Sequence, residues 1–445
     1  MGKILFFIYI ITSLNLFGIS NSNLNFNIKN LTLKEKIGHL FMIGIYQDRP
    51  TDEVLHYLNE YQVSNFLFVG RGWKPERQRQ IITEMQKDRL LLFAEDLEYG
   101  LAQRMDDVVI FPRNMTLGAI QNDELIYELG KEVGRECRSI GISLNLSPVV
   151  DVNSNPLNPV IGVRSFGDDP KRVAQLGIKM MQGIKSTGIK TAAKHFPGHG
   201  NVIVDSHYSL PITENFDLMP FIELIQNHVD CVLTSHLMIP SFDAENPVSL
   251  SKKWIDLLKE ELQFKGLIIT DDLLMNALYH PFNERALRAF LAGNHLLLFT
   301  ENLPYNRDAF KEGFNAIYNA VLNGQISMDL LEERVKTILS FKEGLHKDPS
   351  MDSWITEEAI TLKNRLYREA ITKINDYPVV EPVQIMTNPL DPVYGKTLIY
   401  AGSPYHLSLL PQDRAIILAY EPGGIEQALI AIKENDFRGR LPIKQ

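Results

Sequence analysis

With only two cysteines in 445 residues, Cys137 and Cys231, this chain cannot rest on a framework of several disulfides. It has no CxxC spacing either, which argues against a thiolate zinc site. Both cysteines are expected as small core residues. Basic runs are missing as well. The net charge is −9, and no cluster of Lys and Arg is present to neutralise phosphates, which argues against nucleic acid as the partner. No segment after the first residues is apolar and long enough to span a bilayer. No Gly-rich phosphate loop follows the first candidate strand, which disfavours a doubly wound sheet. No repeat occurs at solenoid periods. What remains, 45% hydrophobic and 22% charged, is an ordinary globular composition.

The opening stretch, MGKILFFIYIITSLNLFGISNSN, carries one lysine, then an apolar run, then small polar residues. That order predicts a secretory signal peptide over 1–22, cleaved near Ser20, and a periplasmic or secreted protein. A retained N-terminal anchor is the alternative reading. No cysteine ends the run, so a lipid-modified terminus is not expected.

From residue 31 the pattern is regular. Short apolar runs alternate with amphipathic stretches: HLFMIGI (39–45), SNFLFVG (64–70), LLLFAED (90–96), ISLNLSPVVDV (142–152), KTAAKHF (190–196), CVLTSH (231–236), LIITDD (267–272) and HLLLFTE (295–301). Near-continuous apolar strands are those buried on both faces of a parallel sheet. Eight of them alternating with helices predict an α/β fold, a (β/α)8 TIM-type barrel over 30–345. The stretch SKKWIDLLKEELQ (251–263) reads as one such helix, with Ser251 as its N-cap. A helical segment and Pro-rich linker follow over 346–395. A short C-terminal α/β appendage, 396–445, is too small for an independent core and should lean on the barrel or on a second subunit.

Several strands end in polar clusters, where barrel enzymes keep their chemistry. Asp271 and Asp272 follow the run GLIIT. One of them, Asp272, reads as a helix cap. The other, Asp271, suits nucleophilic attack on an anomeric carbon. The stretch KHFPGHGNVIVDSH (194–207) holds Lys194, His195, His199, Asp205 and His207. In an extended loop Asp205 and His207 point the same way, so the carboxylate can fix the imidazole tautomer for acid–base work. The same histidines, 195, 199 and 207, suit a metal-dependent hydrolase, and a purely structural loop is a third reading. Asp96, Arg104 and Arg164 are candidates for gripping sugar hydroxyls or a carboxylate, with a surface salt-bridge network as the alternative reading.

These motifs together resemble the bacterial β-N-acetylhexosaminidases of glycoside hydrolase family 3. The resemblance rests on LTLKEKIGHLFMIG (31–44), AEDLEYGLAQR (94–104), SPVVDVNSNPLNPVIGVRSFG (147–167), the KHFPGHG…DSH block, LTSHLMIPSFD (233–243) and LSKKWIDLLKEELQFKGLIITDDLLM (250–275). It implies Asp271 as nucleophile and His207 as general acid/base, with Asp205 as its partner. It implies substrate contacts from Asp96, Arg104, Arg164, Lys194 and His195, a structural His199, and no metal or cofactor. The implied activity is a retaining exo-β-N-acetylglucosaminidase acting on peptidoglycan fragments or chito-oligosaccharides. The chain departs from the family pattern at Tyr99, which replaces Gly, at Leu101, which replaces Arg, and at Val163, which replaces an acid. Its C-terminal part is also shorter than the second domain of two-domain relatives. Leu101 and Val163 raise a non-catalytic sugar-binding relative as an alternative, and a neutral histidine would also tolerate phosphate as acceptor.

Overall fold

In the computed structural model each of the eight apolar runs contains a strand. The structure describes residues 28–443 apart from 48–50, 88, 301–306, 346–348, 351, 376–378, 380–382, 391–392, 394–396 and 412–414. The expected signal peptide lies outside the described residues. The strands are β1 (Phe41–Tyr46), β2 (Asn65–Val69), β3 (Leu92–Glu95), β4 (Leu144–Asn145), β5 (Lys190–Phe196), β6 (Cys231–Thr234), β7 (Leu267–Thr270) and β8 (Leu297–Phe299). All neighbouring pairs are parallel, in the order β7-β6-β5-β4-β3-β2-β1-β8.

The two ends of that sheet meet. Thr270 N–H donates to Leu296 O at 3.0 Å, and Leu273 N–H to Leu298 O at 2.9 Å. Ile268 N–H donates to His295 Nδ1 at 2.9 Å, so an imidazole completes the ladder where β8 has not yet begun. Burial holds His295 well below the ordinary imidazole pKa, which keeps that nitrogen free to accept. The result is a closed parallel barrel with no open edge. Cys137 and Cys231 are buried and free, as expected. Among the described residues no helix is long and apolar enough to cross a membrane.

Helices follow the strands and cover the barrel. Ser251 is the expected N-cap, its Oγ accepting from Trp254 N–H at 3.3 Å. The helix beyond is α only over Lys252–Asp256 and widens to a π turn over Leu257–Glu261.

The chain then forms a helix, Glu357–Ala370, and a second sheet of β9 (Thr372–Lys373), β10 (Val383–Met386), β11 (Thr397–Tyr400) and β12 (Ala415–Leu418). Its order is β10-β11-β12-β9, with only β9 antiparallel. β10 lies inside the stretch read as linker, where V-Q-I-M alternates toward and away from the core. The helix Ile425–Glu434 covers this sheet over a small core that includes Ile371, Ile399, Ile417 and Ala428. The appendage leans on the barrel: Arg440 N–H donates to Ala119 O at 2.9 Å, and Gln121 Nε2 donates to Arg438 O at 2.7 Å.

The helices Glu124–Ile140 and Pro170–Ser186 cross where glycines let their backbones touch. A Cβ on Gly183 would sit 2.2 Å from Tyr127 O, and one on Gly130 would sit 2.4 Å from Met180 O. Gly183→Ala should therefore lower stability by about 1–3 kcal/mol, the usual cost of overpacking, seen as a fall in Tm. Lys179→Ala, on a surface ion pair of the same helix with Glu124, should change it by less than about 1 kcal/mol.

Candidate active site

A cavity of about 580 Å³ opens at the C-terminal ends of the strands. All of the sequence-predicted side chains line it: Asp96 and Arg104 after β3, Arg164 after β4, Lys194 and His195 on β5, Asp205 and His207 on the following loop, and Asp271 after β7.

Lys194 is the centre of one wall. Its side chain is 2% exposed, and its ammonium lies 2.6 Å from Asp96 Oδ1 and 2.9 Å from Glu98 Oε1. Arg104 holds the other oxygen of Asp96 at 2.7 Å. Arg164 grips Glu98 through both of its carboxylate oxygens, at 3.1 and 2.7 Å. Burial alone would raise the Asp96 and Glu98 pKa values. The facing Lys194, with Arg104 on Asp96 and Arg164 on Glu98, more than offsets it and holds both carboxyls below their ordinary range. Lys194 and His195 are consecutive yet both line the cavity, because the pairing of β5 with β6 is irregular between Ala193 and Phe196. Glu98 was not among the predicted site residues. Its signal was the spacing Asp96-x-Glu98, which puts two acids on one side of an extended loop.

His195 Nδ1 pairs with Asp151 Oδ2 at 2.7 Å, which leaves Nε2 toward Arg164, 3.4 Å from its Nη2. Asp151 is fully buried and also accepts from the backbone N–H of His195 at 3.1 Å and of His199 at 2.7 Å. It was legible only as a strand-end acid. His199 was expected to be structural, and its backbone is: its carbonyl also accepts from Asn158 Nδ2 at 2.8 Å. Its ring faces the cavity, nearly fully buried, and neither ring nitrogen has a hydrogen-bond partner among the described residues. Burial, with His195 beside it, lowers its pKa to about 4.

The Asp205–His207 pair forms, but not by the expected extended geometry. The chain turns at Ser206. One oxygen of Asp205 accepts from His207 N–H at 2.8 Å and meets His207 Nδ1 at 2.6 Å. Tyr208 N–H closes the turn on Asp205 O at 3.0 Å. An aspartate favours this local turn because its short carboxylate reaches the N–H two residues on. The turn is docked on the loop after β7: Ala277 N–H donates to Ser206 O at 3.1 Å, and Asn276 N–H to His207 O at 3.4 Å. The His207 side chain stays 54% exposed at the mouth.

Asp271 and Asp272 part company. Burial works against the Asp271 carboxylate, but the nearby His236, His195 and His207 rings and the Asp272 N–H offset it, and its pKa lies below the ordinary value. Asp272 caps no regular helix, contrary to expectation. It accepts from Thr300 Oγ1, from Thr300 N–H at 3.2 Å and from Leu274 N–H at 3.1 Å, tying the loop after β7 to the end of β8. Burial raises its pKa to about 6. Beneath both, buried His236 meets Ser249 Oγ through Nδ1 at 2.7 Å and Asp272 O through Nε2 at 2.8 Å. In the sequence His236 is simply the polar end of the run CVLTSH.

The ligand set of the metal-hydrolase reading is not assembled. Among the described residues no group of three His, Cys, Asp or Glu is placed to hold a metal ion. His195 and His207 each turn Nδ1 to an aspartate instead.

The loop that carries Asp96, Glu98 and Arg104 is fastened from behind by Glu136, which accepts from Leu101 N–H at 2.9 Å. Gly100 at φ +89° lets that carboxylate approach, since a Cβ there would sit 2.4 Å from Glu136 Oε2. Burial pushes the Glu136 carboxyl up from its ordinary 4.5 to about 8, and it does the same to Glu95. Between those two pH values the folded state binds more protons than the unfolded one, so stability falls as pH rises through the window. Glu136→Gln keeps an acceptor for Leu101 and removes one of these titrations. Its Tm should decline less between pH 5 and pH 8 than that of the wild type. An unchanged slope would remove Glu136 from the account.

Residues 32–341 match the family described as "Glycosyl hydrolase family 3 N terminal domain". Beta-hexosaminidase A of Pseudoalteromonas piscicida is 31% identical over 296 residues, 60% of this chain and 50% of that protein, so the match spans only half of its length. A beta-hexosaminidase of Nitrosomonas eutropha is 34% identical over 248 residues, 52% of this chain and 70% of that one. Among solved structures, a glycoside hydrolase family 3 beta-N-acetylglucosaminidase from Paenibacillus sp. is similar, with a TM-score of 0.83 at 26% identity, covering 93% of this chain and 99% of that one.

Proposed function

The chain belongs to glycosyl hydrolase family 3, and from that premise we propose that it is a retaining exo-β-N-acetylglucosaminidase working through a glycosyl-aspartate. The observation that carries this reading is the docking of the Asp205–Ser206–His207 turn on the loop that follows Asp271. It sets an ionised carboxylate and a carboxylate-bound imidazole on one cavity, with the Lys194, Asp96, Arg104, Glu98 and Arg164 network opposite.

In the first step an Asp271 oxygen attacks the anomeric carbon as the glycosidic C–O bond breaks. The departing oxygen takes a proton from His207 Nε2 while Nδ1–H stays on Asp205. That leaves His207 neutral with its lone pair on Nε2, the form needed to deprotonate water in the second step. Two inversions give retention. A neutral base also avoids repulsion with Asp271. Asp96, Glu98 and Lys194 offer acceptors and a donor for sugar hydroxyls, and Asp151 orients His195 for the same purpose.

The departures from the family pattern leave room for turnover. Leu101 and Val163 are not among the residues that line the cavity. The substrates we favour are peptidoglycan fragments, with chito-oligosaccharides second. Arg71, exposed on the cavity rim, suits the carboxylate of an N-acetylmuramic acid leaving group. Such substrates fit an exported enzyme. The mature chain should begin near residues 20–24 and be recovered from the periplasm or medium, and an intact Met1 on cytoplasmic material would count against export.

The test is turnover of p-nitrophenyl N-acetyl-β-glucosaminide, with free N-acetylglucosamine rather than its 1-phosphate released in phosphate buffer. Asp271→Asn should abolish turnover, and a 5-fluoro sugar should label Asp271. Label on Asp272 would overturn the assignment. His207→Ala should slow cleavage of a disaccharide by about 10²–10⁴-fold, the usual worth of a general acid, while the aryl substrate still forms the intermediate in a burst. Azide should rescue that variant and give the β-glycosyl azide. Equal losses on both substrates, without burst or azide product, would return His207 to a structural role.

A further inference from the structure

We propose that the C-terminal α/β segment is a working part of the pocket, and that Glu421 is a positioning residue for the Arg164–Glu98 clamp. This rests on the reading that the clamp grips sugar. Glu421 follows β12 and does not line the cavity. Its side chain, 12% exposed, crosses to the barrel. One oxygen accepts from Arg113 N–H at 2.9 Å and from Thr116 Oγ1 at 2.6 Å, and the other accepts from Arg113 Nε at 3.2 Å. Those contacts fix the start of the short helix Asn114–Gly118.

From that helix two routes lead to the clamp. Asn114 Nδ2 donates to the carbonyl of Arg164 at 2.7 Å. Gly118 packs so tightly beneath the same segment that a Cβ would fall 1.9 Å from Phe166 O. The appendage holds the far side of that segment too: Asp168 N–H donates to Pro442 O at 3.3 Å, and a Cβ on Gly167 would fall 2.2 Å from the same carbonyl. The segment carrying Arg164 is thus held between the helix that Glu421 fixes and the last described turn of the chain.

The second route runs through Phe111, just before the helix, whose ring packs on the loop that carries Glu98: a Cβ on Gly100 would fall 3.3 Å from it. Glu98 is also bound to Arg164 through both of its oxygens, so a shift of either loop is felt by the other. Both halves of the clamp therefore lead back to the helix that one carboxylate of the appendage fixes. Small displacements matter here, because a guanidinium that grips a carboxylate through two bonds tolerates little change in angle.

The experiment compares full-length wild type with Glu421→Ala, Glu421→Gln, Thr116→Val and, as a control, Gln121→Ala. The control breaks a contact of the same interface that leads to neither loop. Five quantities are read: Tm, hydrogen exchange of 97–104 and 162–168, calorimetric Kd for N-acetylglucosamine, and kcat and KM on the aryl glycoside. Glu421→Ala should speed exchange in both loops and raise Kd and KM by about 10-fold or more, with kcat changed less, as expected when a gripping group drifts. Glu421→Gln, which keeps an acceptor for Thr116, and Thr116→Val should fall between it and wild type. Gln121→Ala should lower Tm at most. Unchanged loop exchange and Kd in a folded Glu421→Ala, or equal changes in Gln121→Ala, would overturn the proposal. A wild type that neither binds nor cleaves the sugar would instead overturn the functional reading, while loop exchange would still decide the role of Glu421.

Discussion

A lysine ammonium almost wholly removed from water is the constraint from which this site is built. An unpaired buried charge costs several kcal/mol, so Lys194 must have carboxylates against it. It has two, and neither can be alone with it: Glu98 is itself buried and Asp96 half-buried, and both need further cations. Arg104 and Arg164 supply them. Each added partner draws in another loop, so strands β3, β4 and β5 are locked together at their C-terminal ends by charge rather than by backbone pairing alone. The pocket wall follows from satisfying one ammonium.

Neighbouring residues at the opposite wall are separated by environment. Asp271 and Asp272 differ by one position, yet one carboxyl lies below its ordinary pKa and the other is raised to about 6. Asp272 spends its oxygens on Thr300 and Leu274, as a fastener between β7 and β8. Asp271 faces imidazoles and the cavity. Two adjacent acids are thus driven apart by environment, one left ionised on the cavity and one spent on holding loops together.

The barrel was legible because its strands are buried on both faces and so read as uninterrupted apolar runs. Even β4, only two residues by backbone pairing, lay inside such a run. The strand-end clusters marked the right end of the barrel, and the eight predicted site residues share one cavity. What stayed hidden depends on partners far away in sequence. Glu98 needs Arg164, Asp151 needs the His195 ring, and His236 needs Ser249 and Asp272 before any of them has a role. The Asp205–His207 pair was foreseen with the wrong backbone, because period-two alternation describes a strand while an aspartate prefers to turn the chain on itself. Asp272 reads as a cap in the sequence because its actual partners, Thr300 and the Leu274 N–H, are set by how the loop after β7 folds back and not by the strand order. β10 was lost among prolines and is an edge strand, where a weak pattern suffices.

The seam between β7 and β8 carries a stitch of a different material from the rest of the barrel. Most ladder bonds end on peptide carbonyls, which no attainable acidity protonates, and at this seam Leu298 N–H ends on the Thr270 hydroxyl at 3.0 Å, which acid also leaves able to accept. At Ile268 the acceptor is the His295 ring. An imidazolium has no lone pair left to accept with, so acid strong enough to protonate that buried ring cuts the ladder at this one place. One bond of the β7–β8 seam is therefore open to acid, and it lies on β7, the strand that leads into Asp271.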